Sequence, residues 1–352
     1  MRKLNCRIEV CSYQRSFARS LITHHGVWTE RQGLIVRLST DEGHTGFGEI
    51  APLPDFGSET LEEAIALCHS LPKVASTDAM NAAIHQISSR YPACQFGLGS
   101  AWENWVQTNQ SSNSSRELNR KKPLPICRLL PTGIDALEAW RDAYQQGDRT
   151  FKWKIGVAPI DQELQIFRQL IKTLPRDMRL RLDANGGLDQ KAAQQWLKVC
   201  DQSPSRQIEF LEQPLSPKDF EATQQLATCY QTPIALDESV ASLAQLQRIH
   251  NAGWRGIVVI KGAIAGFPSA VRSFCQTHQI DVVWSSVFET AIARRAIEQQ
   301  LIRALPMPPR ALGFGVDHWF ADSTMSDAQF DAQAWFNQSK SLVPFEHSDK
   351  NT

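Results

Sequence analysis

The hydrophobic pattern changes period once along the chain and then settles into a long alternation. Residues 1 to about 60 carry period-two runs that predict antiparallel strands. Within 33–49, two β-rich runs meet at Asp41-Glu42-Gly43, which is hairpin chemistry. Beyond Pro54 the period becomes helical. A helix is expected over 60–68, with Thr60 as cap and Glu63 three residues on, and further helices over 77–89 and 100–107. Residues 107–122 are polar and rich in Ser and Asn, and read as a linker ending at Pro123.

From Pro125 onward short apolar runs alternate with amphipathic ones. Strands are expected at 126–130, 150–155, 180–183, 208–212, 234–237, 256–261, 282–285 and 311–315. Helical patterns fill the gaps at 134–146, 160–173, 190–200, 220–229, 243–252, 268–278 and 292–304. Such alternation predicts a parallel sheet, and eight strands predict a closed barrel. An open doubly wound sheet is the alternative, but no G-x-G-x-x-G follows the first strand. The expected organisation is an α+β unit (1–106), a linker (107–123), a barrel (124–318) and a C-terminal segment (319–352) returning toward the first unit, ending in a loose tail.

Composition narrows the class. Lys+Arg and Asp+Glu number 37 each, so the chain has no electrostatic footprint for nucleic acid or an anionic membrane. The Arg120-Lys121-Lys122 cluster has no aromatic interleaving and reads as a solvated linker end. No apolar run approaches the roughly 20 residues needed to span a bilayer. The eight cysteines show no C-x-x-C spacing and the N-terminus has no apolar h-region, so a cytoplasmic, reducing setting is expected. The oligomeric state is open.

The chemistry lies in the polar residues of the barrel strands. In Phe151-Lys152-Trp153-Lys154-Ile155 the apolar residues form one face and the lysines the other. Leu180 and Leu182 alternate likewise with Arg181, Asp183 and Asn185. Five successive strands end in Lys154, Asp183, Glu212, Asp237 and Lys261, at steps of 29, 29, 25 and 24 residues. Catalytic groups of such barrels lie at these C-terminal ends, and neighbouring strands are only about 4.8 Å apart. Singly, an Asp at a strand end is more often a helix cap, and a K-x-K is more often a solvated edge. Together, three carboxylates on adjacent strand tips repel one another unless a cation joins them. Hard oxygen donors point to Mg²⁺, or another divalent cation such as Mn²⁺, and no strand-end His argues for zinc. Such a centre suits a small-molecule carboxylate that loses its α-proton to an enediolate. A lysine base must be neutral near pH 7 against a free pKa of about 10.4. Lys154 is therefore read as the proton-transfer residue, Lys152 as the neighbouring cation that lowers its pKa, and Lys261 as a second base or a stabilising cation.

Lys152-Trp153-Lys154, Asp183-Ala184-Asn185, Glu212-Gln213-Pro214, Asp237-Glu238-Ser239 and Lys261 together resemble the enolase superfamily, in its K-x-K branch. The resemblance covers essentially the whole chain. It implies a modified (β/α)7β TIM barrel under an N-terminal α+β capping domain, to which Gly46–Pro54 belongs. It also implies metal ligation by Asp183, Glu212 and Asp237. The segments around Arg181-Leu182-Asp183, Val258–Lys261, Val283–Ser286 and Leu312–Asp317 resemble members that dehydrate 2-succinyl-6-hydroxy-2,4-cyclohexadiene-1-carboxylate on the way to menaquinone or phylloquinone. On that resemblance Arg181, Asn185, Ser285 and Gly313 contact substrate. Phe288-Glu289-Thr290 stands where small polar residues are expected. N-acylamino acid racemases and dipeptide epimerases share the metal and both lysines. The epimerases' Asp-x-Asp on the eighth strand is replaced here by Gly313-Phe314-Gly315.

Overall fold

The computed structural model describes residues 5–23, 26–110, 123–203, 207–306, 309–326 and 329–342. Most of the expected linker, 111–122, and the tail from 343 lie outside these residues.

The N-terminal domain is a four-stranded antiparallel sheet in the order β3-β2-β1-β4, backed by three helices. Its strands are β1 (Asn5–Thr23), β2 (Gly26–Thr40), β3 (Thr45–Ile50) and β4 (Val74–Ser76). Helix α1 (Leu61–Ser70) begins with the expected reciprocal box between Thr60 and Glu63. Helix α2 spans Thr77–His85, and α3 spans Pro92–Gln110. The linker expected from 107 therefore starts later, because α3 continues through those residues. Helix α3 lies directly on β3. A Cβ on Gly48 would come within 2.0 Å of the Gly97 carbonyl oxygen, so the missing side chain sets the spacing of helix and strand. Strand β1 carries a large bulge. Ser16 pairs with Glu30 and Leu21 with Trp28, so four residues of β1 stand opposite one of β2.

The second domain is a ring of parallel strands, ordered β5 to β11: β5 (Cys127–Leu129), β6 (Thr150–Lys154), β7 (Arg179–Asp183), β8 (Ile208–Glu212), β9 (Ile234–Leu236), β10 (Ile257–Lys261) and β11 (Val282–Ser285). The expected eighth strand shrinks to two bridges, Ile126 with Leu312 and Ser285 with Gly313, and these close the ring. A Cβ at Gly313 would meet Ser285 Oγ at 2.9 Å, which is why a glycine sits in this seam. Helices expected at 160–173 and 220–229 appear as α6 (Ile160–Thr173) and α8 (Phe220–Cys229). The stretch at 134–146 breaks into α4 (Ala136–Ala139) and α5 (Arg141–Gln145). Helices α7 (Gln190–Asp201), α9 (Leu243–Asn251) and α10 (Pro268–Thr277) follow their patterns. The last helical stretch is α11 (Ala291–Ala296) continued by a π-helical turn, Ile297–Ile302. With seven βα units and a closing strand-like segment, the second domain is a (β/α)7β barrel.

Alternation along the strands sorts side chains as the sequence requires. Phe151, Trp153 and Ile155 are buried outward under the helices. Trp153 meets Trp196 of α7 edge-on at 6.2 Å, and Phe167 of α6 meets the same ring at 5.4 Å. The barrel interior below the strand tips holds a separate apolar cluster of Phe210, Ala235, Ile257, Val259 and Val283.

Beyond Phe320, which bridges to Phe17, the chain packs on β1 and β2 through α12 (Ala332–Leu342), with Phe336 fully buried. A buried carboxylate joins the two domains. Glu49 of β3 accepts from Tyr13 Oη at 2.6 Å, from the Thr290 backbone at 2.9 Å, from Thr290 Oγ1, and from Ala293 N at 3.2 Å. It therefore caps α11 from the other domain. Arg31 reinforces the joint by donating to the carbonyls of Val287, Pro52 and Ala51. No described helix is long and apolar enough to cross a membrane.

Two stability outcomes follow. Glu49→Ala strands several buried donors and is expected to cost about 2–4 kcal/mol in urea unfolding. Gly48→Ala forces α3 off the sheet and is expected to cost about 1–3 kcal/mol by the same measurement.

Candidate active site

A cavity of about 1210 Å3 opens where the C-terminal ends of the barrel strands face the N-terminal domain. Lys152, Lys154, Asp183, Asn185, Asp237, Lys261 and Ser285 all line it. The register of the parallel ladder explains the grouping. Lys154 of β6 pairs with Asp183 of β7, and Asp183 pairs with Glu212 of β8, so the three stand in one row. Strands β6 and β10 are four positions apart in a ring of eight, which places Lys154 and Lys261 on opposite sides of the mouth.

The charges are interlocked. Lys152 Nζ lies 2.8 Å from Asp183 Oδ2 and 2.9 Å from Glu212 Oε1. The Lys261 ammonium is bonded to Asp237 Oδ1. It also sits 4.2 Å from the centre of the Phe56 ring, a cation–π contact contributed by the N-terminal domain. Asn185, held at φ 44°, donates to Asp183 Oδ2 and to Glu238 Oε1, both at 3.2 Å. Gln213, at φ 36°, is a buried cross-link. Its Oε1 accepts from Asp237 N at 3.0 Å and its Nε2 donates to Ser239 Oγ at 3.0 Å. These bonds fix the chain where β9 ends and so position Asp237. On β6, Glu163 does the same for Lys154: its carboxylate accepts from the backbone N–H groups of Gly156, Val157 and Ala158 at 2.8–3.0 Å.

Among the described residues, the carboxylates of this cluster outnumber the ammonium groups of Lys152 and Lys261 that touch them. Burial lowers the Lys152 pKa, but Asp183, Glu212 and Asp237 outweigh it and hold this ammonium well above the ordinary lysine range. Burial pushes Glu212 up to about 8, against the pull of Lys152, and Asp183 and Asp237 add to the rise. Burial and then Asp237 push Glu238 up to about 7. Glu238 Oε2 is buried with no hydrogen-bond partner. Among the described residues no three such side chains converge on a common point, because Lys152 and Lys261 each take carboxylate oxygens. The donor set is nonetheless the one a hard divalent cation requires: carboxylate oxygens, buried, in excess of the charge that faces them.

One sequence expectation is corrected. Arg181 does not line the cavity. It is 2 % exposed, donates to Glu209 Oε2 at 2.7 Å and lies 4.9 Å from the Phe210 ring. Being two residues before Asp183 on the same face, it points into the interior one layer deeper and forms a structural ion pair, which Arg310 extends through Glu209. Gly313 is half-buried in the closing seam, bridged to Ser285 of the cavity wall. Phe288, at φ 62°, does line it, while Glu289 is buried and accepts from Ser286 Oγ and the Val287 backbone. Phe56 escaped the sequence reading, and Glu238 enters it only within a motif, without a role. Strand alternation turns Glu238 outward, but β9 ends at Leu236 and the rule lapses there. Phe56 sits in a short turn whose proximity to Lys261 is purely tertiary.

Comparisons with known proteins agree with this architecture. Residues 135–332 match the family described as enolase C-terminal domain-like, and residues 5–105 match the MenC N-terminal domain. The o-succinylbenzoate synthase of Thermosynechococcus vestitus is 41% identical over 309 residues, covering 87% of this chain and 91% of that protein. The crystal structure of o-succinylbenzoate synthase from Thermosynechococcus elongatus BP-1, complexed with Mg in the active site, superposes with a TM-score of 0.82. It is 38% identical and covers 96% of this chain and 100% of that one. The L-Ala-D/L-Glu epimerase of Bacillus subtilis shares the fold at TM-score 0.71 and 19% identity, over 90% of this chain and 91% of that one. The chain belongs to the o-succinylbenzoate synthase family of the enolase superfamily.

Proposed function

We propose that the protein is a lyase that dehydrates 2-succinyl-6-hydroxy-2,4-cyclohexadiene-1-carboxylate to 2-succinylbenzoate, in a cytoplasmic route to menaquinone or phylloquinone. The observation that carries this reading is the similarity over most of the chain to o-succinylbenzoate synthases, joined to a Lys154 and Lys261 pair set four strands apart across a cavity whose floor is carboxylate.

Asp183, Glu212 and Asp237 are the residues that would hold Mg²⁺, with Mn²⁺ as a substitute. When bound, the ion supplies Lewis-acid charge to the substrate's ring carboxylate. Lys154 removes the proton from the carbon bearing that carboxylate, and the electron pair spreads into the carboxylate oxygens. The hydroxyl on the neighbouring carbon then leaves with the proton Lys154 has gained, as water, and the ring becomes aromatic. Lys152 is fixed by Asp183 and Glu212 as a permanent cation beside Lys154. Lys261, tied to Asp237 and covered by Phe56, faces the ring from the other side. Asn185 orients Asp183, and Ser285 is a substrate contact at the wall.

The direct test supplies the cyclohexadiene with Mg²⁺ and follows its conversion by absorbance. Turnover should stop on chelation and return when Mg²⁺ is added back. No conversion by the metal-loaded protein sinks the reading. N-succinylamino acids in D₂O test the racemase alternative: α-proton exchange without dehydration would transfer the assignment to it. Lys154→Ala is expected to lower kcat by about 10³-fold or more. Mg²⁺ affinity, measured by calorimetry, should change little, and an active Lys154→Ala protein refutes the assigned role.

A further inference from the structure

The substrate of the proposed reaction carries two carboxylates, and the chemistry described so far engages one of them. The second ends the succinyl arm and takes no part in bond breaking. A buried anion on a bound ligand needs a cation to meet it. Five lysine and arginine side chains line the cavity: Arg19, Lys152, Lys154, Lys218 and Lys261. Lys152 and Lys261 are bonded to carboxylates of the floor, and Lys154 is assigned to the reacting carbon. Arg19 and Lys218 remain as candidates for the distal anion.

The fold distinguishes between them. Arg19 lies in the β1 bulge, the four residues between Ser16 and Leu21 that oppose a single residue of β2. Bulges re-aim side chains beside active sites, and here the result is an arginine at the cavity wall. Beside it stands Trp319, from the turn that follows the barrel's closing segment, with its ring centre 4.5 Å from the guanidinium carbon. Stacking on an indole holds a guanidinium in one plane and leaves its edge for a carboxylate, which it can meet bidentately. The backbone around this pair is anchored as well. Phe17 bridges to Phe320, their rings stack at 5.0 Å, and Ala321 N donates to Ser16 O at 3.0 Å. Trp28 and Phe288, edge-on at 6.2 Å, add an apolar wall between this corner and the barrel. Lys218 has no comparable support. Like Arg19 it is exposed, but it lies on a three-residue 3-10 turn after β8 and its ammonium has no planar face to stack.

Resting on the reading above, we propose that Arg19, oriented by Trp319, binds the terminal carboxylate of the succinyl arm and sets specificity for dicarboxylate substrates. Arg19 is then a binding residue and Trp319 a positioning residue. The N-terminal domain holds the arm while the barrel performs the chemistry on the ring.

The experiment uses the Mg²⁺-loaded full chain and two ligands: 2-succinylbenzoate, and 2-butanoylbenzoate, which keeps the acyl arm but lacks its terminal carboxylate. Wild-type protein should bind the first more tightly. Arg19→Ala is expected to weaken 2-succinylbenzoate binding by about 10- to 100-fold and to leave 2-butanoylbenzoate unchanged. KM for the diene should rise to a similar degree while kcat stays within a few-fold. Arg19→Lys should recover part of the loss, and a melting curve checks that each variant is folded. Discrimination between the two ligands that survives in Arg19→Ala, or that disappears instead in Lys218→Ala, overturns the assignment. Failure of the wild-type protein to turn over the diene is a separate result. It removes the reaction itself, and with it the need for a second anion site.

Discussion

The register of the parallel ladder is the constraint on which the site depends. Lys154, Asp183 and Glu212 share one row across three strands, and Trp153 and Leu182 alternate with them toward the helices. A slip of one residue in β6 would bury both lysines under α6 and α7 and turn Trp153 into the barrel. The edge-on contacts among Trp153, Trp196 and Phe167 oppose that slip through shape and apolar area. Packing on the outer face of the barrel therefore fixes the chemistry on its inner face.

The charges at the strand tips are compensated in two different ways. Deeper in the barrel, Arg181 is matched by Glu209 and Arg310 extends the network. There each charge meets an opposite one within the fold. At the mouth, carboxylates exceed the ammonium groups that touch them, and burial lifts Glu212 and Glu238 toward neutrality. An arrangement of this kind stabilises a bound cation and costs the unliganded fold. The contrast between the two layers separates structural ion pairs from a binding centre in terms of charge alone.

How much of this was legible in the sequence follows from the range of each interaction. The strand tips could be read because period-two alternation and βα spacing are local properties, and Lys154, Asp183, Glu212, Asp237 and Lys261 obey both. Helix α6 was legible to its ends because Leu164, Phe167, Leu170 and Ile171 repeat at helical spacing. Arg181 obeys the same alternation as Asp183, yet its depth depends on Glu209, which no spacing rule supplies. Glu238 and Gln213 lie just past strand ends, where alternation no longer assigns a face, whereas Asn185 keeps the face that alternation gives it. Gly313 reads as part of a strand, but its role comes from Ser285 across the seam. Phe56, Glu49 and Arg19 act between domains and depend on contacts that only the folded chain creates.

The Glu49 cap has a kinematic consequence. Because this carboxylate completes the first turn of α11, a rigid swing of the N-terminal domain away from the barrel would uncap that helix. The same movement would strip Arg31 from Val287, so two buried polar contacts break together. The domain is thus bolted at its base and is poorly suited to act as a hinged lid. The Pro54–Phe56 turn shares that anchorage: Arg31 holds the carbonyls of Ala51 and Pro52 just ahead of it, and Phe56 rests against Lys261. The roof over Lys261 is therefore carried by the same buried arginine that fastens one domain to the other.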